Sequence, residues 1–181
     1  MMSSRATSIL VVFALVGIGL AVFLNSKKGH EGTDSSSEKI QWHSYNDGIT
    51  LARTQNKKLL IDVYTDWCGW CKKMDSDVYT DENIRTIVAS NFIAVKLNAE
   101  SSNNVTAGTD QLDEAGLARA MGVTGYPTTV FLESGAGPIT KIAGYMEAKE
   151  FATVLRYIGE EHYKNTTFEQ FKSSSGTASK N

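Results

Sequence analysis

The chain has 181 residues, a formal net charge of −2 and a sequence pI of about 5.9. This length fits one domain of ordinary size with additional sequence at its ends. The slight negative charge and the scattered Lys and Arg residues provide no basic surface, which excludes nucleic-acid binding. The chain has only two cysteines, close together in sequence, and a disulfide between them would constrain little of the unfolded chain. Any disulfide in this chain is therefore expected to be reactive.

The first 24 residues are predicted to be a membrane anchor or a signal peptide. Arg5 precedes an uncharged stretch whose apolar core runs from Ile9 to Leu24, and Lys27-Lys28 follows. Length favours an uncleaved anchor, whereas Gly19-Leu20-Ala21 provides a small-x-small site for signal cleavage. Both interpretations export the rest of the chain, although the two lysines outnumber Arg5 and by themselves favour the opposite orientation. A buried soluble helix is disfavoured because no polar face interrupts the run.

Composition sets the predicted boundaries of the folded domain. Residues 25–39 contain no apolar side chain, so we expect a flexible linker there. The folded domain is predicted over residues 40–163. Residues 164–181 are predominantly polar again and are predicted to be a disordered tail.

Apolar patterns within the domain predict alternating strands and helices. The run from Lys58 to Tyr64 is typical of a strand buried on both faces of a sheet. The segment 98–110 is polar and is predicted to be a surface loop, either for partner recognition or, as we favour, an inert insertion. The remaining predictions are strands at 41–43, 92–97, 128–132 and 139–143, and helices over 47–55, from Cys68 onward, around 84–88, around 117–121 and over 147–162. This order predicts an α/β sandwich around a mixed sheet.

Both cysteines lie in Asp66-Trp67-Cys68-Gly69-Trp70-Cys71-Lys72-Lys73, directly after the strand at 58–64. Cys71, Met74 and Val78 recur at helical spacing, which predicts a helix that begins at Cys68 or just after it. Gly69 is expected to ease the turn from strand into helix. The unpaired N–H groups and the positive dipole end of a helix N-terminus stabilise a thiolate, which makes Cys68 the candidate nucleophile.

This order of elements, with Trp67-Cys68-Gly69-Trp70-Cys71-Lys72 after a central strand and Gly125-Tyr126-Pro127-Thr128 before a later one, resembles the thioredoxin superfamily over residues 40–163. Within it, the Trp-Cys-Gly-Trp-Cys-Lys-Lys-Met run after an N-terminal anchor is most similar to exported, membrane-anchored thioredoxin-like proteins and to the C-terminal domain of the transmembrane reductase DsbD. The resemblance implies an α/β thioredoxin fold, a central mixed sheet with helices on both faces, and no cofactor beyond a redox-active Cys68–Cys71 disulfide.

The resemblance also implies a role for each of five residues. Cys68 is the nucleophile that enters a mixed disulfide, and Cys71 is the buried thiol that resolves it. Asp62 is a buried acid that exchanges protons with Cys71, and burial raises its pKa. The alternative is that Asp62 faces solvent on an edge strand. Lys96 is the lysine that neighbours this acid, and Pro127 is the family's cis-proline beside the cysteine pair.

Five residues are predicted to contact substrate: Trp67, Gly69, Trp70, Tyr126 and Pro127. The aromatic side chains among them are expected to form an apolar docking surface beside the reactive thiol, in preference to mere packing. Trp70 stands where thioredoxin has proline, so the redox potential does not transfer from the family. Tyr126 is bulkier than the usual residue before the cis-proline, which is expected to narrow the range of partners.

No metal or haem site is predicted. A zinc site needs more ligands than one cysteine pair, and the remaining candidates, His30, His43 and His162, are scattered. Haem attachment needs a histidine where Lys72 stands.

The sequence therefore predicts a thiol–disulfide oxidoreductase on the exported, periplasmic or other extracytoplasmic side of a membrane, tethered through its N-terminal helix. It is expected to exchange disulfides with protein substrates, as a reductase in preference to an oxidant, and to be re-reduced by an upstream thiol donor. The alternative function is a tethered module of the same fold that captures a metal ion or a polypeptide without turnover.

Overall fold

A computed structural model of the chain describes residues 39–177. The predicted anchor or signal at residues 1–24 and the predicted linker, apart from Lys39, lie outside the described residues. Between residues 39 and 177, no helix is long and apolar enough to cross a membrane.

Most of the described chain alternates strands and helices in the order that the sequence predicts. The strands are β1 (Trp42–His43), β2 (Lys58–Tyr64), β3 (Phe92–Asn98), β4 (Asn104–Ala107), β5 (Asp110–Asp113), β6 (Thr128–Leu132) and β7 (Pro138–Ala143). The helices are α1 (Tyr45–Gln55), α2 (Gly69–Lys73), α3 (Glu82–Asn91), α4 (Glu114–Ala120), α5 (Ala148–Gly159) and α6 (Phe168–Thr177). A π-helical turn (Met74–Val78) follows α2, and a 3-10 turn (His162–Lys164) follows α5.

Five of the strands form one mixed sheet in the order β1-β3-β2-β6-β7. Strands β1 and β2 both run parallel to β3, whereas β6 runs antiparallel to β2 and β7 antiparallel to β6. β2 therefore lies at the centre of the sheet. The prediction of an α/β fold around a mixed sheet is confirmed.

Alternating side chains of β2 face two separate apolar clusters, one on each side of the sheet. Leu59, Ile61 and Val63 belong to the cluster beneath α1 and α4. Leu60 belongs to the other cluster, which is built from the π turn, α3 and α5. Because side chains alternate along a strand, Asp62 lies on the same side as Leu60, facing the π turn that follows the cysteine helix.

The prediction of a surface loop over residues 98–110 is wrong in part, because β4 and β5 pair there as an antiparallel hairpin. The hairpin is fixed by its one fully buried apolar side chain, Val105, which joins the cluster beneath α1. The Asn46 side chain of α1 also donates to the Asn104 carbonyl and accepts from the Thr106 N–H. A single buried valine among polar residues gives too weak a periodicity to predict a strand.

The prediction of a disordered tail after residue 163 is wrong for residues 168–177, which form α6. The ring of Phe168 packs edge-on against Tyr157 of α5, with 5.3 Å between ring centroids. Thr167 and Gln170 bond each other's backbone N–H groups with their side chains, which is a capping box. That Thr-x-x-Gln pattern is a sequence signal that predicts this helix start.

Candidate active site

Cys68 and Cys71 form a disulfide at the N-terminus of α2, where the sequence predicts the helix to begin. Cys68 is the N-cap residue, with φ −68° and ψ 105°, and its Sγ accepts a hydrogen bond from the Cys71 backbone N–H at 3.0 Å. Cys68 is 4% exposed and Cys71 is 2% exposed, so exposure in the disulfide form does not distinguish them. Their positions distinguish the two cysteines, because a backbone N–H group at the positive end of the helix points at the sulfur of Cys68.

Gly69 does not play the conformational role that the sequence predicts. The chain turns from strand to helix at Cys68, whose extended backbone any residue adopts. Gly69 has no positive φ, and a Cβ added there would meet open space. Gly69 is exposed in the first turn of α2, so its predicted contact with substrate stays a prediction.

Asp62 is buried in the central strand and is 1% exposed, so the alternative of a solvent-facing edge residue is wrong. It lies directly across from Lys96 of β3, whose Nζ donates to Oδ2 at 2.6 Å. Burial raises the pKa of the Asp62 carboxyl, and the positive charge of Lys96 only partly offsets this effect. Removing an ion from water costs several kcal/mol, and Asp62 Oδ1 finds no hydrogen-bond partner in the described part of the chain.

Lys96 joins Asp62 to the turn that follows the cysteine helix. Its Nζ also forms an ion pair with Asp75 of the π turn, and it lies 4.7 to 5.3 Å from the ring centroids of Trp42, Tyr64 and Tyr79. Burial opposes the charge of Lys96, but the carboxylates of Asp62 and Asp75 outweigh it and raise the pKa of Lys96. The pair therefore favours the protonated form of Lys96, while burial favours the neutral form of Asp62. The sequence did not indicate Asp75, because the π turn interrupts the predicted helix between Met74 and Val78.

Two tryptophans stand in solvent beside the disulfide: Trp67 is 67% exposed and Trp70 is 59% exposed. They are the only exposed large hydrophobic side chains within the described range. The Trp67 indole N–H donates to Glu100 Oε1 at 2.9 Å, and its ring packs edge-on against Tyr126, with 6.0 Å between ring centroids. This contact brings the segment before β6 to the cysteine loop.

Pro127 follows Tyr126 through a cis peptide bond and is buried. Its carbonyl accepts a hydrogen bond from the Gly144 N–H at 2.8 Å. The backbone of Pro127 is thereby joined to the connection between β7 and α5, whose Tyr145 packs against Trp70, with 5.3 Å between ring centroids. Glu100 and Tyr145 were missed by sequence reasoning, since neither lies near the cysteines in sequence.

No group of three or more His, Cys, Asp and Glu side chains within residues 39–177 has the arrangement of a metal site. His43 lies in β1 and His162 in the 3-10 turn after α5, whereas His30 lies outside the described residues.

Comparison with known proteins gives a consistent result. Residues 45–159 match the family model described as a thioredoxin-like domain. The thiol:disulfide interchange protein DsbD of Tatumella citrea is 34% identical over 113 residues, which cover 61% of this chain and 18% of that protein. The DsbD protein of Yersinia pestis is 29% identical over 108 residues, which cover 59% of this chain and 17% of that protein. The chain therefore spans less than a fifth of the length of these curated relatives.

Among solved structures, a thioredoxin from Thermus thermophilus superposes with a TM-score of 0.56 at 22% sequence identity. The superposition covers 67% of this chain and 88% of that chain. At this level of identity the similarity establishes the fold.

Proposed function

Because the chain belongs to the thioredoxin-like domain family, we propose that it is a thiol–disulfide oxidoreductase that exchanges disulfides with proteins through Cys68 and Cys71. The observation that carries this proposal is the disulfide at the start of α2, with the Cys71 N–H directed at Cys68 Sγ. The redox group of this family is the cysteine pair itself, and no prosthetic group is needed.

The reaction starts from the reduced dithiol. The Cys68 thiolate attacks one sulfur of a substrate disulfide, which forms a mixed disulfide and releases one substrate thiolate. The Cys71 thiolate then attacks Cys68 Sγ, which forms the Cys68–Cys71 disulfide and releases the second substrate thiolate. Two electrons pass from the enzyme dithiol to the substrate disulfide. An upstream thiol donor returns two electrons to the enzyme by the same chemistry.

Asp62 is proposed as the group that accepts the proton of Cys71 before the second attack. Its raised pKa allows it to hold and release a proton more readily than an exposed aspartate. Lys96 keeps the ionised form of Asp62 accessible by pairing with it. Trp67, Gly69, Trp70, Tyr126 and Pro127 are proposed to contact the polypeptide that carries the substrate disulfide, and the exposed indole rings support this role.

We further propose that the net direction is reduction, and that the domain works on the exported side of a membrane to which residues 1–24 tether it. The uncharged apolar stretch after Arg5 supports the location, because both an anchor and a signal peptide export the following chain, although Lys27-Lys28 by themselves favour the opposite orientation. Similarity to proteins named thiol:disulfide interchange protein DsbD supports the exchange reaction, and the direction follows from the resemblance of the cysteine motif to a transmembrane reductase. The equilibrium reduction potential of Cys68–Cys71 against glutathione tests it: a value more negative than that of the surrounding thiol pool agrees with net reduction, and a more positive value contradicts it.

The decisive test of the reaction is a trapping experiment with Cys71→Ser. A serine hydroxyl is too weak an acid to displace the substrate sulfur, so partner proteins should accumulate as covalent adducts of Cys68. The adducts should disappear on addition of a reductant, be absent from Cys68→Ser, and decrease when Tyr126 or Pro127 is replaced. A metal-capture module would instead lose bound copper or zinc in both cysteine variants and trap no partner, which would reject the oxidoreductase function.

The roles of the two thiols are tested by alkylation of the reduced protein at mildly acidic pH. Cys68 should be labelled before Cys71, because the helix N-terminus stabilises its thiolate. Peptide mapping of the labelled protein measures the order, and faster labelling of Cys71 would reverse the assigned roles.

A further inference from the structure

Each exposed tryptophan beside the disulfide rests on a tyrosine from a distant part of the chain. Trp67 packs edge-on against Tyr126, with 6.0 Å between ring centroids and 79° between ring planes. Trp70 packs against Tyr145 at 5.3 Å, with a tilted angle of 39°. The two tyrosines belong to the segments on either side of the β6–β7 hairpin, and the Gly144 N–H donates to the Pro127 carbonyl to join those segments.

Tyr145 is held in place from several sides. It follows Gly144, whose φ of 92° lies in the left-handed region that favours glycine, so the turn that presents Tyr145 depends on that residue. The tyrosine ring is half-buried against the apolar cluster on the π-turn side of the sheet. The Lys73 ammonium lies 5.3 Å from the ring centroid, and Lys73 is itself paired with Asp77.

Trp70 has no such burial. Trp70 is 59% exposed and belongs to the first turn of α2, directly before Cys71. Tyr145 is therefore the more buried member of the pair, and Trp70 is the member accessible to a bound polypeptide. A supported aromatic ring gains more on burial by a partner than a mobile ring does, because less side-chain freedom is lost on binding.

We propose that Tyr145 is a specificity-determining positioning residue, which holds Trp70 as a second apolar contact beside Cys68 in addition to the Trp67–Tyr126 pair. The preferred substrates are then polypeptide segments that carry a bulky apolar side chain next to the disulfide-bonded cysteine. This inference rests on the proposed exchange reaction.

The test uses the full chain, reduced and held in detergent, and two synthetic peptides that differ only beside their cysteine. One has leucine on both sides of the cysteine and the other has serine, and each is supplied as its disulfide-linked dimer. The second-order rate constant for oxidation of Cys68–Cys71 is measured with each peptide. The leucine-to-serine ratio of these constants reports selectivity, and a purely structural defect would not change it.

The wild type should react faster with the leucine peptide. Tyr145→Ala should lower the leucine-to-serine ratio by about three- to tenfold, the size expected for loss of one aromatic contact. Tyr145→Phe should retain the ratio because the ring remains. Trp70→Ala, at an exposed position that does not endanger folding, should lower the ratio similarly, and adding Tyr145→Ala to it should change little further.

Tyr157→Ala is the matched control, because it removes a tyrosine ring that packs against the same apolar cluster but contacts Phe168 of α6. It should leave the ratio unchanged. If the ratio is unchanged in Tyr145→Ala and Trp70→Ala while both variants still exchange disulfides, this inference is overturned and the proposed function is not affected. Equal slowing of both peptides by Tyr145→Ala, matched by Tyr157→Ala, would also overturn it by showing a structural role. Failure of the reduced wild type to react with either peptide would reject the proposed function instead.

Discussion

Two ion pairs that each include one residue of β2 have the same N–O distance, but the pKa values of their carboxyl groups are shifted in opposite directions. Lys96 Nζ lies 2.6 Å from Asp62 Oδ2, and Lys58 Nζ lies 2.6 Å from Glu161 Oε1. The Asp62 side chain is 1% exposed, and burial raises its pKa. The Glu161 side chain is 47% exposed, and hydrogen bonds from Lys164 and Lys58 lower its pKa to about 2. Burial of the acid, and not the length of the ion pair, decides in which direction the pKa of the carboxyl is shifted.

The two pairs also lie in different places. Lys58 begins β2, and Glu161 ties the start of the 3-10 turn to that end of the sheet. Lys96 and Asp62 lie further along the strands, where Asp75 connects them to the turn after the cysteine helix. The first pair joins β2 to the 3-10 turn, whereas the second lies beside the turn that follows the cysteine helix and is proposed to serve the cysteines. The following predictions test that distinction.

The largest effect is expected for Asp62→Asn on the rate of exchange. Loss of the proton acceptor should slow resolution of the mixed disulfide by on the order of a hundredfold, while the fold is retained. Rapid-quench measurement of the mixed disulfide across neutral pH checks this. Glu161→Gln is the control and should leave the rate unchanged; an unaltered rate in Asp62→Asn would remove Asp62 from the mechanism.

Smaller effects are expected on the pH dependence of stability, and they have opposite signs for Asp62 and Glu161. The pKa of Asp62 is raised above 3.8 in the folded state, so ionising it costs stability as pH rises through the folded pKa. Asp62→Asn should therefore gain stability relative to the wild type as pH increases. The pKa of Glu161 falls from 4.5 to about 2, so its contribution is present above 4.5 and is lost as pH falls toward 2.

Thermal denaturation over a series of pH values measures both trends. Glu161→Gln should be less stable than the wild type at neutral pH, with a melting temperature lower by at most about a few degrees, and the difference should vanish in acid. Parallel trends in the two variants would contradict the distinction between a structural and a proton-storing carboxylate.

The smallest effect is expected for Asp75→Asn. The Asp75 charge helps to raise the pKa of Asp62, so its removal should shift the pH profile of mixed-disulfide resolution to lower pH. Asp77→Asn is the matched control, because Asp77 lies in the same π turn but pairs with Lys73. A shift in both variants, or in neither, would show that the charge of Asp75 does not specifically tune the pKa of Asp62.

Much of the site could be predicted from local sequence. The apolar run of β2 predicts a buried strand, and the resemblance to the thioredoxin superfamily implies that Asp62 within it is a buried acid. The cysteine spacing and the helical pattern after it predict the cap at Cys68. These features depend on periodicity and on neighbours in the chain, which the sequence records directly.

Contacts between distant segments could not be predicted in this way. Glu100 meets Trp67, Asp75 meets Lys96, and Tyr145 meets Trp70 only after the strands have paired and the helices have packed. The β4–β5 hairpin depends on Val105 and on Asn46, which lie far apart in sequence. A sequence pattern does not show how close two such residues lie in the folded chain or how far their side chains are buried.

The sequence by itself determined the cysteine pair and the order of the elements that build the five-stranded sheet, because both follow from local spacing and polarity. Only the tertiary structure decided the electrostatic state of Asp62 and the support of the exposed tryptophans. Desolvation, the reach of Lys96 to two carboxylates, and the contact of Trp70 with Tyr145 all arise from surfaces brought together by folding.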